Sequence, residues 1–136
     1  MKVLLVDDNH ADVRLIQESF RALRIRHELE VAHHGDEALK LLTDRESPTG
    51  LPDIILLDIN MPGMDGFDLL TSIRKNPRLR IIPVVVLSSS INESDVHRAY
   101  ALGANAYMSK PMEDFLDLIG DFDRFWLKRA RLPKAK

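Results

Sequence analysis

A chain of 136 residues with 45% hydrophobic and 29% charged side chains has the size and composition of one globular domain, able to bury about two thirds of its unfolded surface in a single core. A formal net charge of -2 gives no general attraction to nucleic acid or to an anionic membrane, and the absence of cysteine removes disulfides, thiolate catalysis and zinc–cysteine sites. No apolar run approaches the roughly 18 residues that span a bilayer, and the start, MKVLLVDDN, is too short in its apolar part for a signal peptide, so a cytoplasmic protein is the expectation.

Lys2 to Val6 is a continuous aliphatic run and predicts a first strand buried on both faces of a parallel sheet. Val13, Ile16, Phe20 and Leu23 then share one helical stripe. Glu28 to Ala32 reads as a weaker second strand, followed by a helix whose inner face is Ala38, Leu41 and Leu42. The turn residues SPTGLP at 47 to 52 precede a third strand, Asp53 to Leu57. In MPGMDG, Gly63 and Gly66 are expected to supply the backbone conformations that turn the chain into the next helix while leaving Asp58 uncovered. Asp65 caps that third helix, Phe67, Leu70 and Ile73 mark its buried side, and the NP pair at 76 to 77 ends it. Ile82 to Leu87 is the fourth strand, Val96, Ala99 and Tyr100 the stripe of the fourth helix, LGAN at 102 to 105 a turn, and Ala104 to Met108 the fifth strand.

Five β-α units in one short chain define a doubly wound α/β sandwich with a five-stranded parallel sheet. Ligands of such sheets bind beyond the carboxyl ends of the strands, so the residues there belong together. They are Asp7 and Asp8 after the first strand, Asp58 after the third, Ser88 after the fourth and Lys110 after the fifth. Each has an ordinary structural explanation alone, as a helix cap, a loop hydroxyl or a solvated charge. Three crowded carboxylates, however, repel one another unless a cation holds them, and hard oxygen donors suit Mg²⁺. The same ion neutralises a phosphoryl group, which a carboxylate can take up as an aspartyl phosphate while a hydroxyl and an ammonium hold its other oxygens.

The tandem acids, the run D-x-x-M-P-x-M-D-G from Asp58 to Gly66, the hydroxyl of Ser88 and the pair Lys110-Pro111 together resemble the signature of bacterial two-component response-regulator receiver domains. The resemblance covers nearly the whole chain and implies a flavodoxin-like receiver fold with strand order 2-1-3-4-5. It implies that Asp58 is the phosphoacceptor, that Asp8, Asp58 and the backbone carbonyl of Asn60 ligate Mg²⁺, and that Asp7 acts through a water. It further implies that Ser88 is the switch hydroxyl, that Tyr107 moves inward with it, that Lys110 pairs with a phosphoryl oxygen and that the Lys110–Pro111 bond is cis. Such a protein is a phosphoacceptor in a phosphorelay rather than an enzyme, with only self-catalysed transfer and slow autodephosphorylation.

Residues 1–127 are expected to form the receiver domain and 128–136 a basic tail, so that output passes through the receiver's own surface. The last helix, from about Glu113 to Arg129, carries a broad apolar arc: Phe115, Ile119, Phe122 and Trp126 in one stripe, flanked by Leu118, Phe125, Leu116 and Leu127. That breadth points to a homodimer or kinase contact through the fourth helix, fifth strand and fifth helix, and a homodimer is the expectation. ADVRLIQESF, HGDEALKLL and FWLKRARLP resemble stand-alone regulators that partner phytochrome-type histidine kinases. A flavodoxin-like nucleotide binder is disfavoured because Asp7 and Asp8 would repel its phosphate. An Mg²⁺-dependent phosphohydrolase lacks a cap insertion here, and a degenerate scaffold receiver would not keep Asp8, Asp58, Ser88 and Lys110.

Overall fold

The computed structural model describes residues 1–44, 50–61, 64–112 and 114–134. Five parallel strands, β1 (Lys2–Val6), β2 (Glu28–Ala32), β3 (Ile54–Asp58), β4 (Val84–Ser88) and β5 (Ala106–Ser109), form one sheet in the order β2-β1-β3-β4-β5. Helices α1 (His10–Ala22), α2 (Gly35–Thr43), α3 (Gly66–Lys75), α4 (Glu93–Ala101) and α5 (Phe115–Phe122) connect and follow the strands. The strand order is therefore the one that the resemblance to receiver domains implies. Among the described residues no helix is long and apolar enough to cross a membrane.

The pleat divides each strand between two cores. Leu4, Val6, Ile55, Leu57, Val84 and Val86 face α2, α3 and α4, where they meet Ala38, Leu42, Phe67, Leu70, Ile73 and Ala99. Val3, Leu5, Ile54, Leu56, Val85 and Leu87 face α1 and α5, where they meet Val13, Ile16, Phe20, Phe115, Ile119 and Phe122. With both faces covered, aliphatic runs rather than alternating ones are what the three central strands need.

Several boundaries shift. β3 and β4 run one residue further than their aliphatic runs, because Asp58 pairs with Leu87 and Ser88 with Ser109 in the ladder. Leu23 is the C-cap of α1 and exposed, and Tyr100 is half exposed, so α4 meets the core mainly through Ala99. The last helix starts after the Asp114 cap and changes at Asp123 into a π-helical segment, Asp123–Arg129. There the Ala130 N–H returns to the Phe125 carbonyl and Lys128 Nζ lies 3.0 Å from the Asp123 carboxylate, both five residues apart. Leu118 and Leu127 are buried by the fold itself, Trp126 and Leu132 pack against the second core, and Leu116 and Phe125 stay exposed. Turn residues 47 to 49, Gly63 and the expected helix start at residue 113 lie outside the described residues.

At the amino-terminal edge of the sheet, Arg74 ties three elements together. Its guanidinium donates to the carbonyls of Gly103 at 2.9 Å, Arg80 at 3.0 Å and Ile82 at 2.8 Å, and to Asn105 Oδ1 at 2.9 Å. Gly103 has φ +104°, a left-handed conformation, and a Cβ there would sit 2.9 Å from Arg74 Cγ. On the outer edge of β5, the Tyr107 N–H donates to the Tyr100 hydroxyl of α4 at 3.2 Å. Arg74→Ala leaves several carbonyls without donors and is expected to cost about 2–4 kcal/mol, read as a lower urea midpoint at unchanged slope. Arg74→Lys recovers little of this, since an ammonium cannot span the same acceptors. A stability within about 0.5 kcal/mol of wild type for the alanine variant would remove Arg74 from this role.

Candidate functional site

Because all strands run the same way, their carboxyl ends deliver Asp7, Asp58, Ser88 and Lys110 to one edge of the sheet. Asp7 is fully buried: Oδ1 accepts the Asn9 N–H at 2.9 Å, and Oδ2 accepts from Lys110 Nζ at 2.8 Å. The lysine reaches it because its own backbone N–H donates to the Ser88 carbonyl at 2.8 Å, continuing the pairing of β5 with β4. Lys110 Nζ also donates to Asp12 Oδ2 at 3.0 Å and lies 3.4 Å from Asp58 Oδ2. The Lys110–Pro111 bond is trans, so the lysine meets these acids without the cis geometry that the resemblance implies.

Asp7, Asp8 and Asp58 each offer a carboxylate oxygen, all within 4.8 Å of one another. Three hard anionic donors at this spacing fit a divalent cation such as Mg²⁺ or Mn²⁺, and no soft ligand is in the group. Burial pushes the Asp58 carboxyl up from its ordinary 3.8 to about 6; Lys110 and the Asn60 N–H, at 3.1 Å, pull it back, while Asp7 adds to the rise. Lys110 is raised: burial works against its charge, but the hydrogen bond to Asp7 and the charges of Asp58 and Asp7 outweigh it.

Ser88 is fully buried, and its Oγ accepts the Ser90 N–H at 3.0 Å and Asn60 Nδ2 at 3.3 Å. Tyr107 is already turned inward, its hydroxyl donating to the Ser90 carbonyl at 3.0 Å. The Asp65 side chain accepts the Asp68 N–H at 2.9 Å and caps α3, as its position suggests. Gly66 is required for a different reason from the expected one: its φ is not positive, but a Cβ would lie 2.4 Å from Ile59 Cα and 2.6 Å from the Asp58 carbonyl oxygen. The helix can start this close to β3 only without a side chain.

Sequence reasoning placed Asp7, Asp8, Asp58, Ser88 and Lys110 at this edge and the resemblance added Asn60 and Tyr107; the structure brings the carboxylates and Lys110 together there, with Asn60 bonded to Ser88 and Tyr107 reaching the site through Ser90. It passed over Asp12. An acid three residues after the Asn9 cap is explained by the helix dipole alone, and only the position of Lys110 reveals its second partner.

Comparison with known proteins follows the geometry. The family model of the response regulator receiver domain matches residues 3–119, and the chain belongs to that family. Phosphorylation on aspartate and binding of a divalent metal in an acidic pocket are general for it, and its members are signalling proteins rather than metabolic enzymes. More particularly, the chain is 40% identical to response regulator Rcp1 of Synechocystis sp. over 139 residues, 98% of this chain and 93% of that one. The crystal structure of the phosphorylated cyanobacterial phytochrome response regulator RcpA matches with TM-score 0.88 at 40% identity, covering 97% of each chain. The Mn²⁺-bound form of Rcp1 matches with TM-score 0.86 at 39% identity, covering 97% of this chain and 98% of that one.

With its pKa raised to about 6, Asp58 in the metal-free protein keeps a proton that the unfolded chain, at about 3.8, has released. The stability that this proton confers is complete below about pH 4 and lost as pH rises through about 6. Metal-free Asp58→Asn has no such loss, so it should melt above wild type at about pH 7.5, with the gap closing toward about pH 4, as read by thermal unfolding in EDTA. A gap independent of pH would show that burying the Asp58 charge is not what the fold pays for.

Proposed function

We propose that this chain is a cytoplasmic response regulator in which Asp58 accepts a phosphoryl group from a sensor histidine kinase. The observation that carries the reading is the placement of the Asp58 carboxylate beside Asp7, Asp8 and Lys110, with Lys110 Nζ 3.4 Å from Oδ2. A carboxylate oxygen of Asp58 forms the new O–P bond as the P–N bond to the kinase's phosphohistidine breaks and the imidazole leaves. Asp7, Asp8, Asp58 and the backbone carbonyl of Asn60 would hold Mg²⁺, with Asp7 acting through a water. When bound, the ion supplies positive charge that offsets the charge developing on the phosphoryl oxygens.

Lys110 donates to one phosphoryl oxygen and the Ser88 hydroxyl to another. Because Ser90 bonds both the Ser88 Oγ and the Tyr107 hydroxyl, a shift of Ser88 reaches Tyr107 through one residue. The face made by α4, β5 and α5 then changes its partner preference, and the exposed Tyr100, with Phe125 just past α5, suits it to a homodimer contact. The similarity to Rcp1 and RcpA supports a phytochrome-type kinase as the donor. On this reading residues 1–127 are the receiver domain and 128–136 a basic tail, and neither nucleic acid nor a membrane is a partner.

Intact-mass spectrometry after incubation with acetyl phosphate and Mg²⁺ tests the assignment. Wild type should gain one phosphoryl increment, abolished by EDTA and by Asp58→Ala. An increment retained in Asp58→Ala would place the acceptor elsewhere, and none in any condition would favour a scaffold.

A further inference from the structure

We propose that Asp12 is a positioning residue that competes with the phosphoryl group for Lys110, and thereby sets how readily the group is accepted and how long it stays. The inference rests on the phosphoacceptor reading of Asp58. An ammonium has three N–H donors, and here two of them go to Asp7 at 2.8 Å and Asp12 at 3.0 Å, both closer than Asp58 at 3.4 Å. The third is left for Asp58, and a phosphoryl oxygen that shortens this contact pulls the ammonium away from the two acids that now hold it closest, from one more readily than from the other.

The structure shows which. The Asp7 side chain is 0% exposed, so losing Lys110 would strand a buried charge; the Asp12 side chain is 23% exposed, and water replaces the ammonium there at much lower cost. Asp12 is also absent from the group of converging oxygens formed by Asp7, Asp8 and Asp58, so it touches the lysine without belonging to the cation cluster. Its charge acts first through Lys110, drawing the ammonium toward α1 and away from an incoming anion.

A merely structural role is separable from this one. The Asn9 side chain accepts the Asp12 backbone N–H at 3.0 Å, which fixes the first turn of α1 whatever side chain position 12 carries. If Asp12 served only the helix dipole, its amide variant would lose a little stability and alter no kinetic constant.

The test uses the full chain, saturating Mg²⁺ and acetyl phosphate as donor, with phosphorylation and its decay followed by intact mass. Asp12→Asn should lower the KM for acetyl phosphate roughly three- to ten-fold and lengthen the phosphoryl half-life by a similar factor, as expected from removing one partly exposed charge nearby. Asp12→Glu, which keeps the charge, should return both constants toward wild type, and circular-dichroism melting reports whether each variant is folded. A phosphorylated wild type whose KM and half-life match those of Asp12→Asn overturns the inference alone, as does a shorter half-life in the variant. A wild-type chain that takes up no phosphoryl group overturns the phosphoacceptor reading and this inference with it.

Discussion

The Asp7 carboxylate has no contact with water, and the rest of the site is organised around making that tolerable. A buried anion without a partner is unstable by several kcal/mol, so the Lys110 ammonium at 2.8 Å is a condition of the fold rather than an addition to it. That one ion pair joins the end of β1 to the residue just past β5, across four of the five strands at the sheet's working edge. Asp58 lies between them on β3 and experiences both charges. Its raised pKa follows first from withdrawal from solvent and then from the neighbouring Asp7, which Lys110 and the Asn60 N–H offset only in part.

Other parts of the fold bring backbone close to this edge, where Asp7, Asp58 and Ser88 are buried. Gly66 lets α3 begin in contact with the Asp58 carbonyl and Ile59, yet the Asp58 carboxylate is not left uncovered as the turn residues suggested: it is buried, with Lys110 Nζ 3.4 Å away. Ser88 and Tyr107 are linked through the two sides of Ser90, its N–H and its carbonyl, which makes the loop after β4 a shared element between the buried hydroxyl and the edge strand. At the opposite edge Arg74 supplies a rigid base: the same guanidinium holds α3, the start of β4 and the turn before β5. At that edge the Arg74 guanidinium is held by uncharged acceptors, whereas at the other the Lys110 ammonium is held by carboxylates.

Much of this was legible in the residues because the sheet is buried on both sides. Continuous aliphatic runs such as Leu4–Val6 and Val84–Leu87 have only one common use, and polar residues that interrupt them at the same end of successive strands have to converge. Amphipathic helices were less legible. Tyr100 fits the stripe of α4 by spacing but lies half exposed, since a helix that touches the core through one alanine imposes little on its neighbours. The wheel drawn through the last helix carries Trp126 to the second core but leaves Leu127 on its flank, where the structure buries it, because it assumes 3.6 residues per turn and the π-helical segment brings residues five apart into line. Asp12 escaped because a pairing with Lys110 is 98 positions away in sequence, and only tertiary structure reports it. Gly66 was chosen for the right location and the wrong property: close approach rather than backbone freedom.

The hydroxyl of Tyr100 on the Tyr107 N–H has a consequence for how copies of this chain coexist at high concentration. β5 is an edge strand, and an edge with open donors is a template on which another strand can add and extend the sheet from molecule to molecule. Here one of those donors is already occupied by the helix lying beside it. A strand arriving at that position would first have to lift Tyr100 away, so end-to-end sheet growth is opposed by the element that also borders the outer face. The molecule keeps that side for side-chain contacts, which are specific and reversible, and withholds its main chain.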